Sequence, residues 1–380
     1  MASIKLKGDT SGELTIQAPS VAGTNTLNLP ASSGTLATTA QASIGMKNRI
    51  INGNMMIDQR NAGASVTPAD GNYTIDRWAT IATAASKFSI QQNAGSVTPP
   101  VGFSNYLGIT SLSAYSVGTG DILGIQQRIE GFNAANLNWG TADAKTVTLS
   151  AWVYSSLTGT FGGSLINAAQ NYSYPFTYTI SSANTWTKIS ITISGPTSGT
   201  WVGATNGVGI QVNFGIGGGS TYSGTAGAWG SQQKYTATGA TSVVGTSGAT
   251  FYITGVQLEV GTTATDFENL QYGQQLSLCL RYLPVVQATN YAATGMCFSA
   301  TNARCTVQFP VPSRVSPTGF TTTGAISMTA NNGGGTGSIV WANASTLMAS
   351  LSATGLSGLV AGDATALLGN QSILFTGCEL

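Results

Sequence analysis

The sequence predicts an all-β protein: a short N-terminal strand-turn repeat, a large jelly-roll β-sandwich and a smaller C-terminal β-sandwich domain. Three observations predict it. Apolar side chains alternate with polar ones in many short runs, the period of a half-buried strand. Gly, Ser and Asn cluster between those runs, as turns require. Helical periodicity is scarce, and one segment, Tyr272 to Leu280 in "QYGQQLSLCL", carries it.

The repeat occupies residues 11–40, "SGELTIQAPSVAGTNTLNLPASSGTLATTA". Its glycines fall at Gly12, Gly23 and Gly34 and its prolines at Pro19 and Pro30, both series stepping by eleven. Leu14, Ile16 and Ala18 alternate with Glu13, Thr15 and Gln17. Asn25, Leu27 and Leu29 repeat the register, and Leu36, Thr38 and Ala40 repeat it more weakly. Proline ends a strand because it has no N–H for a ladder, and the following glycine permits a turn. Three such strands hold about half a dozen apolar side chains, at roughly 1.5–3 kcal/mol per large side chain buried. Ordering the backbone costs about 1–2 kcal/mol per residue. The segment therefore needs a partner surface, either another protein or two more copies of itself.

Residues 46–268 read as the sandwich. "KTVTLSAWVYS" puts Val147, Leu149, Ala151 and Val153 on one face, and "TKISITISG" does the same with Ile189, Ile191 and Ile193. "GVGIQVNFGIG" aligns Val208, Ile210, Val212, Phe214 and Ile216; "ATFYITGVQLEV" aligns Tyr252, Val256, Leu258 and Val260. "GIGGGSTYSGTAGAWGSQQ" and "GATSVVGTSG" are long loops. Past the helical segment, residues 269–380 return to strands in "LRYLPVV", "CTVQFPVP", "GSIVWANAS" and "SILFTGCEL".

Composition narrows the function. Charged residues are 7% of the 380, against about 25% in ordinary soluble domains. Fourteen Lys plus Arg nearly balance thirteen Asp plus Glu, so there is no basic stripe for nucleic acid. Hydrophobic content of 42%, with seven Trp, thirteen Tyr and twelve Phe, argues against disorder. No apolar run is long enough for a membrane span, and "MASIKLKGDT" lacks the apolar region of a secretory signal. Histidine is absent, which removes the commonest general base and most zinc hydrolase sites. Asp76 and Glu130 each sit beside Arg, in "IDRW" and "QQRIEG", and read as structural ion pairs. Glu259 and Asp266 flank "VGTTAT" and are the candidates for Ca²⁺, with backbone carbonyls completing the shell. "GIGGGS" is no phosphate loop, since neither Lys nor a helix follows. Cys279, Cys297, Cys305 and Cys378 form no CxxC and are expected to be buried free thiols. The expectation is no enzyme and no cofactor.

Aromatic residues are the stronger lead. Opposite the aliphatic face of "TVTLSAWVYS" lie Thr148, Ser150, Trp152 and Tyr154; the matching face of "WTKISI" carries Trp186, Lys188 and Ser190. Rings beside hydroxyls on an outer sheet face can stack on the apolar faces of sugars. The alternative is that they sit under a loop or against a neighbouring subunit. Trp201, Tyr222 and Trp229, in loop-like sequence, are further sugar-contact candidates.

At "NRIINGNMMIDQRNAGASVTPADGNYTIDRW" the chain resembles bacteriophage tail-fibre and minor virion structural proteins with a jelly roll related to carbohydrate-binding modules. "QQRIEG", "KTVTLSAWVYSS", "NTWTKISITISG", "ITGVQLEVGTTATDFE", "LCLRYL" and "QFPVPSRVSPT" extend the resemblance over nearly the whole chain, and "KGDTSGELTIQAPSVAGTNTLNLPASSGTLATTA" is similar to fibre N-termini. The chain departs from that pattern after "DFE", where "NLQYG" replaces an Arg-Pro pair, and after "LC", where Leu280 replaces a polar residue. The resemblance implies a homotrimer in the virion, on the phage tail, assembled in the bacterial cytoplasm. Residues 1–45 would trimerise and attach to a tail or baseplate protein, and the β domains, with residues 269–380 as a receptor-binding tip, would adsorb to host surface glycan. A capsid-bound head fibre or decoration protein is the alternative. A glycan depolymerase fits less well, because long tailspike depolymerases usually show a parallel β-helix and these strands are longer and irregularly spaced.

Overall fold

The computed structural model describes residues 3–7, 11–17, 46–330, 333–335 and 337–380, and the chain divides into two units, Met1–Ser43 and Ile44–Leu380. In the first, β1 (Ser3–Lys7) and β2 (Glu13–Gln17) form an antiparallel hairpin with Ile4 opposite Ile16 and Leu6 opposite Leu14. Strand β2 is the first unit of the repeat. Its partner β1 precedes the repeat. The second and third repeat units lie outside the described residues.

The second unit opens with the sandwich strands β3 (Tyr73–Ile75), β4 (Trp78–Ala82), β5 (Phe88–Gln92), β6 (Leu107–Ser111), β7 (Ile122–Glu130) and β8 (Val147–Ser155). They continue through β9 (Gly159–Asn167), β10 (Ser173–Ile180), β11 (Thr187–Ile193), β12 (Val208–Gly218), the short β13 (Ser223–Gly224) and β14 (Thr236–Ala237), and β15 (Thr250–Val260). A six-stranded sheet, β10-β9-β12-β7-β4-β3, and a five-stranded sheet, β11-β8-β15-β6-β5, enclose one core. Both sheets are antiparallel. Leu149 and Val153 from β8 meet Phe161, Leu165, Val212, Phe214, Leu123 and Ile125 from the opposite sheet, all fully buried. Strand β12 is also buried on its outer face, where Thr236 of β14 lies over Gly162 and Gly215. A Cβ at either glycine would come within 2.6 or 2.7 Å of the Thr236 hydroxyl.

Strand β15 corrects one reading of the alternation. Phe251, Ile253, Val256 and Leu258 face the core, whereas Tyr252 belongs to a separate cluster on the outer face and Val260 is exposed. The cause is a bulge between Thr254 and Gln257, with Gly255 at φ +62°, which adds a residue and reverses the phase of the strand.

Helix α1 (Tyr272–Leu280) starts at a capping box between Gln271 and Gln274 and buries Cys279 and Leu280. The chain then forms β16 (Val285–Cys297), β17 (Ala303–Gln308), β18 (Gly319–Thr322), β19 (Ser327–Ala330), β20 (Gly333–Gly335), β21 (Ser338–Ala344), β22 (Met348–Thr354) and β23 (Ala364–Thr376). These make a single eight-stranded sheet, β20-β19-β23-β16-β17-β22-β21, with β18 also paired to β23. It closes over a core of its own around Cys305, Val307, Leu351, Leu367, Ile373 and Phe375. All four cysteines are buried and unpaired. Among the described residues, no helix is long and apolar enough to cross a membrane.

The two β regions of this unit are tied together by charge. Glu379 forms ion pairs with Arg60 and Arg77, and the carbonyl of Leu380 accepts from Arg128 and from the Tyr73 hydroxyl. Arg77 lies 3.6 Å from the centre of the Tyr282 ring. Burial works against its charge, yet Glu379 holds its pKa above the ordinary arginine value. Arg281 and the Tyr282 hydroxyl both donate to the Glu130 carboxylate, at 2.6 and 2.5 Å. Burial raises the Glu130 pKa, but these two partners outweigh it and hold it below the usual carboxylate range. The expected pairings with the sequence-adjacent arginines do not form. Asp76 and Arg77 form the tight turn between β3 and β4, with Arg77 in the left-handed region at φ +73°; Asp76 accepts from the Gln59 backbone and side chain, while Arg77 pairs with Glu379. Glu130 finds Arg281 in place of Arg128.

Candidate functional site

The six rings named from sequence fall into three environments. Tyr154 and Trp186 belong to a ladder on the outer face of the five-stranded sheet. Tyr154 stacks on Tyr252 at 5.2 Å with planes 6° apart, Tyr252 stacks on Tyr106, and Trp186 meets both Tyr106 and Tyr154 at an angle. The loop after β5 is fastened over this ladder: Trp186 Nε1 donates to the Thr98 carbonyl, the Tyr106 hydroxyl donates to the Ala94 carbonyl, and the Val97 N–H donates to that same hydroxyl. These rings hold a loop down.

Trp201 and Trp229 pack edge-to-face with Trp139 and with each other, centroids 4.8 to 5.4 Å apart. Each indole N–H of the three donates to a backbone carbonyl, of Ser198, Ser194 and Lys145 respectively. Tyr222 packs edge-to-face on Tyr235 against Ile81, Ile122 and Ile166, on the outer face of the six-stranded sheet. Both groups pin loops to the sandwich.

Trp152 is different. It is half-buried on β8, between Lys188 of β11 and Thr254 of β15 in the sheet register. Its ring stacks on no other aromatic ring among the described residues. It lines a cleft of about 270 Å³ whose floor is Ser150, Ala151, Trp152 and Gly255. One wall is the loop tip Val101–Phe103, where Val101 is 100% exposed; the other carries Thr265, Asp266, Phe267 and Asn269. Phe103 and Phe267 meet edge-to-face at 5.2 Å and close one end. The bulge sets this geometry: a Cβ at residue 255 would stand 2.6 Å from Phe103. Chemically the cleft offers an uncommitted aromatic face flanked by an ammonium (Lys188), a carboxylate (Asp266), a hydroxyl and an amide.

The calcium candidates separate. Both Glu259 oxygens are occupied by the loop that follows: Oε1 accepts from the Thr265 N–H and Gln257 Nε2, and Oε2 from the Thr265 hydroxyl. The exposed Asp266 is the one that joins the Trp152 cleft. No group of three His, Cys, Asp or Glu side chains suited to a metal occurs among the described residues. Phe103 and Phe267 are the cleft residues that the sequence pattern did not mark, since neither lies on an alternating strand. A larger cleft, about 1110 Å³, lies between residues 56–62, helix α1 and the C-terminal sheet, and none of the six rings lines it.

No family model matches this chain, and no curated protein matches it. Solved structures similar in fold include a putative sugar binding protein from Bacteroides thetaiotaomicron VPI-5482, 13% identical, with a TM-score of 0.32 over 57% of this chain and 100% of that one. A family 11 carbohydrate-binding module from Clostridium thermocellum is 11% identical, with a TM-score of 0.26 over 53% of this chain and 96% of that one. The enzymatically active domain of tailspike protein 4 of bacteriophage CBA120 is 12% identical, with a TM-score of 0.29 over 51% of this chain. The match spans 21% of that tailspike chain.

Proposed function

We propose that this chain is a non-catalytic subunit of a bacteriophage fibre that adsorbs to host surface glycan, with the Trp152 cleft as its sugar site. One observation carries the sugar reading. Of the six candidate rings, Trp152 alone stacks on no other aromatic ring among the described residues while lining a walled cleft. A pyranose presents an apolar C–H face to such a ring and hydroxyls to the groups around it. Asp266 accepts from two adjacent hydroxyls, and Lys188 donates. The volume, about 270 Å³, lies just under the ≈ 300–1,000 Å³ of sites for drug-sized ligands and suits one or two sugar rings.

The fibre part of the reading rests on the resemblance over nearly the whole sequence and on the N-terminal repeat. Three parallel copies of the repeat would share one apolar axis, and its sparse charge avoids like-charge repulsion there. Residues 1–45 then attach the trimer to a tail or baseplate protein.

Titrating the full-length protein with polysaccharide extracted from the host surface, followed by tryptophan fluorescence, tests the site. The emission is expected to shift with saturation, and Trp152→Phe is expected to remove most of the shift. An undiminished shift in Trp152→Phe would place the sugar elsewhere.

A further inference from the structure

We infer that the groove beside Tyr291 on the C-terminal sheet is a second, separate sugar site, selective for uncharged pyranosides. Tyr291 is 71% exposed, more than any other large aromatic residue on the described surface. Strand register places it. Tyr291 on β16 is opposite Leu368 on β23, and Leu368 is opposite Ser327 on β19. One row across three strands thus presents a phenol ring, an aliphatic floor and a hydroxyl.

The neighbouring row borders the groove. Asn290 is opposite Gly369, and a Cβ on residue 369 would stand only 3.1 Å from Ile326. The Asn290 N–H donates to Asn370 Oδ1 at 3.2 Å, which orients the Asn370 amide while its NH₂ and the whole Asn290 amide stay without a partner among the described residues. Two departures from regular strand geometry occur here: Asn290 at φ +70° and a register shift between Tyr291 and Ala293. Bulges of this kind re-aim side chains.

The groove is a shallow, open one of about 530 Å³, and no charged side chain lines it. A carboxylate, sulfate or phosphate entering it would lose water with no cation to replace it. A neutral hexose loses nothing comparable: its apolar face covers Tyr291 and Leu368, and its hydroxyls meet two amides and Ser327. The apolar row is one ring wide between amides, unlike the contiguous apolar centre of a subunit interface. The inference shares only a ligand class with the Trp152 reading.

Saturation-transfer NMR on the full-length protein tests it, with methyl β-glucopyranoside and methyl β-galactopyranoside as neutral probes and the two corresponding uronates as charged ones. In a Trp152→Ala background the neutral probes are expected to receive saturation and the uronates little. Adding Tyr291→Ala is expected to weaken neutral binding about tenfold. Equal transfer to uronates, or no change on Tyr291→Ala, overturns the inference. So does a change in oligomer mass caused by Tyr291→Ala, which would make the ring a subunit contact. If Trp152→Ala fails to fold, Trp152→Phe or the unaltered protein serves as background. A signal that Trp152 substitution abolishes and Tyr291→Ala spares refutes this site and leaves the first intact.

Discussion

Asp76 is a carboxyl group 1% exposed whose pKa is pushed up to about 6, chiefly because burial penalises its charge, although Arg60 and two hydrogen bonds from Gln59 offset part of that. A folded-state pKa above the unfolded value means that the native protein binds the proton more tightly. The associated stability is present below about pH 4 and is lost as pH rises through about 6. Glu130 contributes in the opposite sense, so the comparison must isolate Asp76. Urea unfolding of the unaltered protein and of Asp76→Asn should show their stability difference moving against the unaltered protein by about 2 kcal/mol between pH 4 and 7; a pH-independent difference would contradict this. Glu379 gives a second test at the same scale. It neutralises Arg77, itself 1% exposed, and Glu379→Ala leaves that guanidinium buried with no carboxylate. Removing one partner of a buried pair costs about 3–5 kcal/mol, so a loss under about 1 kcal/mol in the same assay would show that the Tyr282 ring and the Arg128 carbonyl, which accepts from Arg77, suffice alone.

Strands β8 and β11 were legible in the sequence because each lays one set of alternating residues on the core with no interruption to the count, and β12 was legible because Ile210, Val212, Phe214 and Ile216 keep the alternation through its two register shifts against β7. Helix α1 was legible because its local pattern differs from everything around it. Strand β15 was not, since a bulge changes phase without changing composition, and Gly255 alone marks it. Its physical role is checkable. Gly255→Ala forces a Cβ onto a residue at φ +62° and within 2.6 Å of Phe103, which should cost roughly 1–3 kcal/mol. Adding Phe103→Ala should recover part of that loss, so the two substitutions should be non-additive in a thermal double-mutant cycle; simple additivity would mean that the contact is not the cause. The site divides in the same way. Trp152 and Lys188 were readable as members of one sheet face, but the second wall comes from residues 265–269, more than 70 positions later in the chain than either. The ring clusters around Trp139, Trp201 and Trp229 likewise depend on loops that return from far along the chain, which alternation cannot reveal.

On the scale of the whole molecule, the chain presents a β-sandwich joined through buried ion pairs to a curled β sheet, so the two should move as one body. The assembly proposed for it follows from a marginal N-terminal repeat that needs a partner. Light scattering on the full-length protein should give about three times the 38.7 kDa chain, and a monomer at micromolar concentration would remove the fibre model. Removing residues 1–45 should abolish attachment to the virion while the unfolding transition of the β domains persists, because their cores include no described residue of that segment. Trimerisation would also multiply weak sugar contacts by avidity, which makes whole-cell adsorption the sensitive readout of a single ring. The most direct test of the central claim is therefore adsorption of the Trp152→Ala protein to host cells, taken together with its melting curve. The account predicts sharply reduced adsorption with a nearly unchanged melting temperature. Unchanged adsorption, or a loss of about 3–5 kcal/mol in stability as for aromatic truncation in a core, would contradict it.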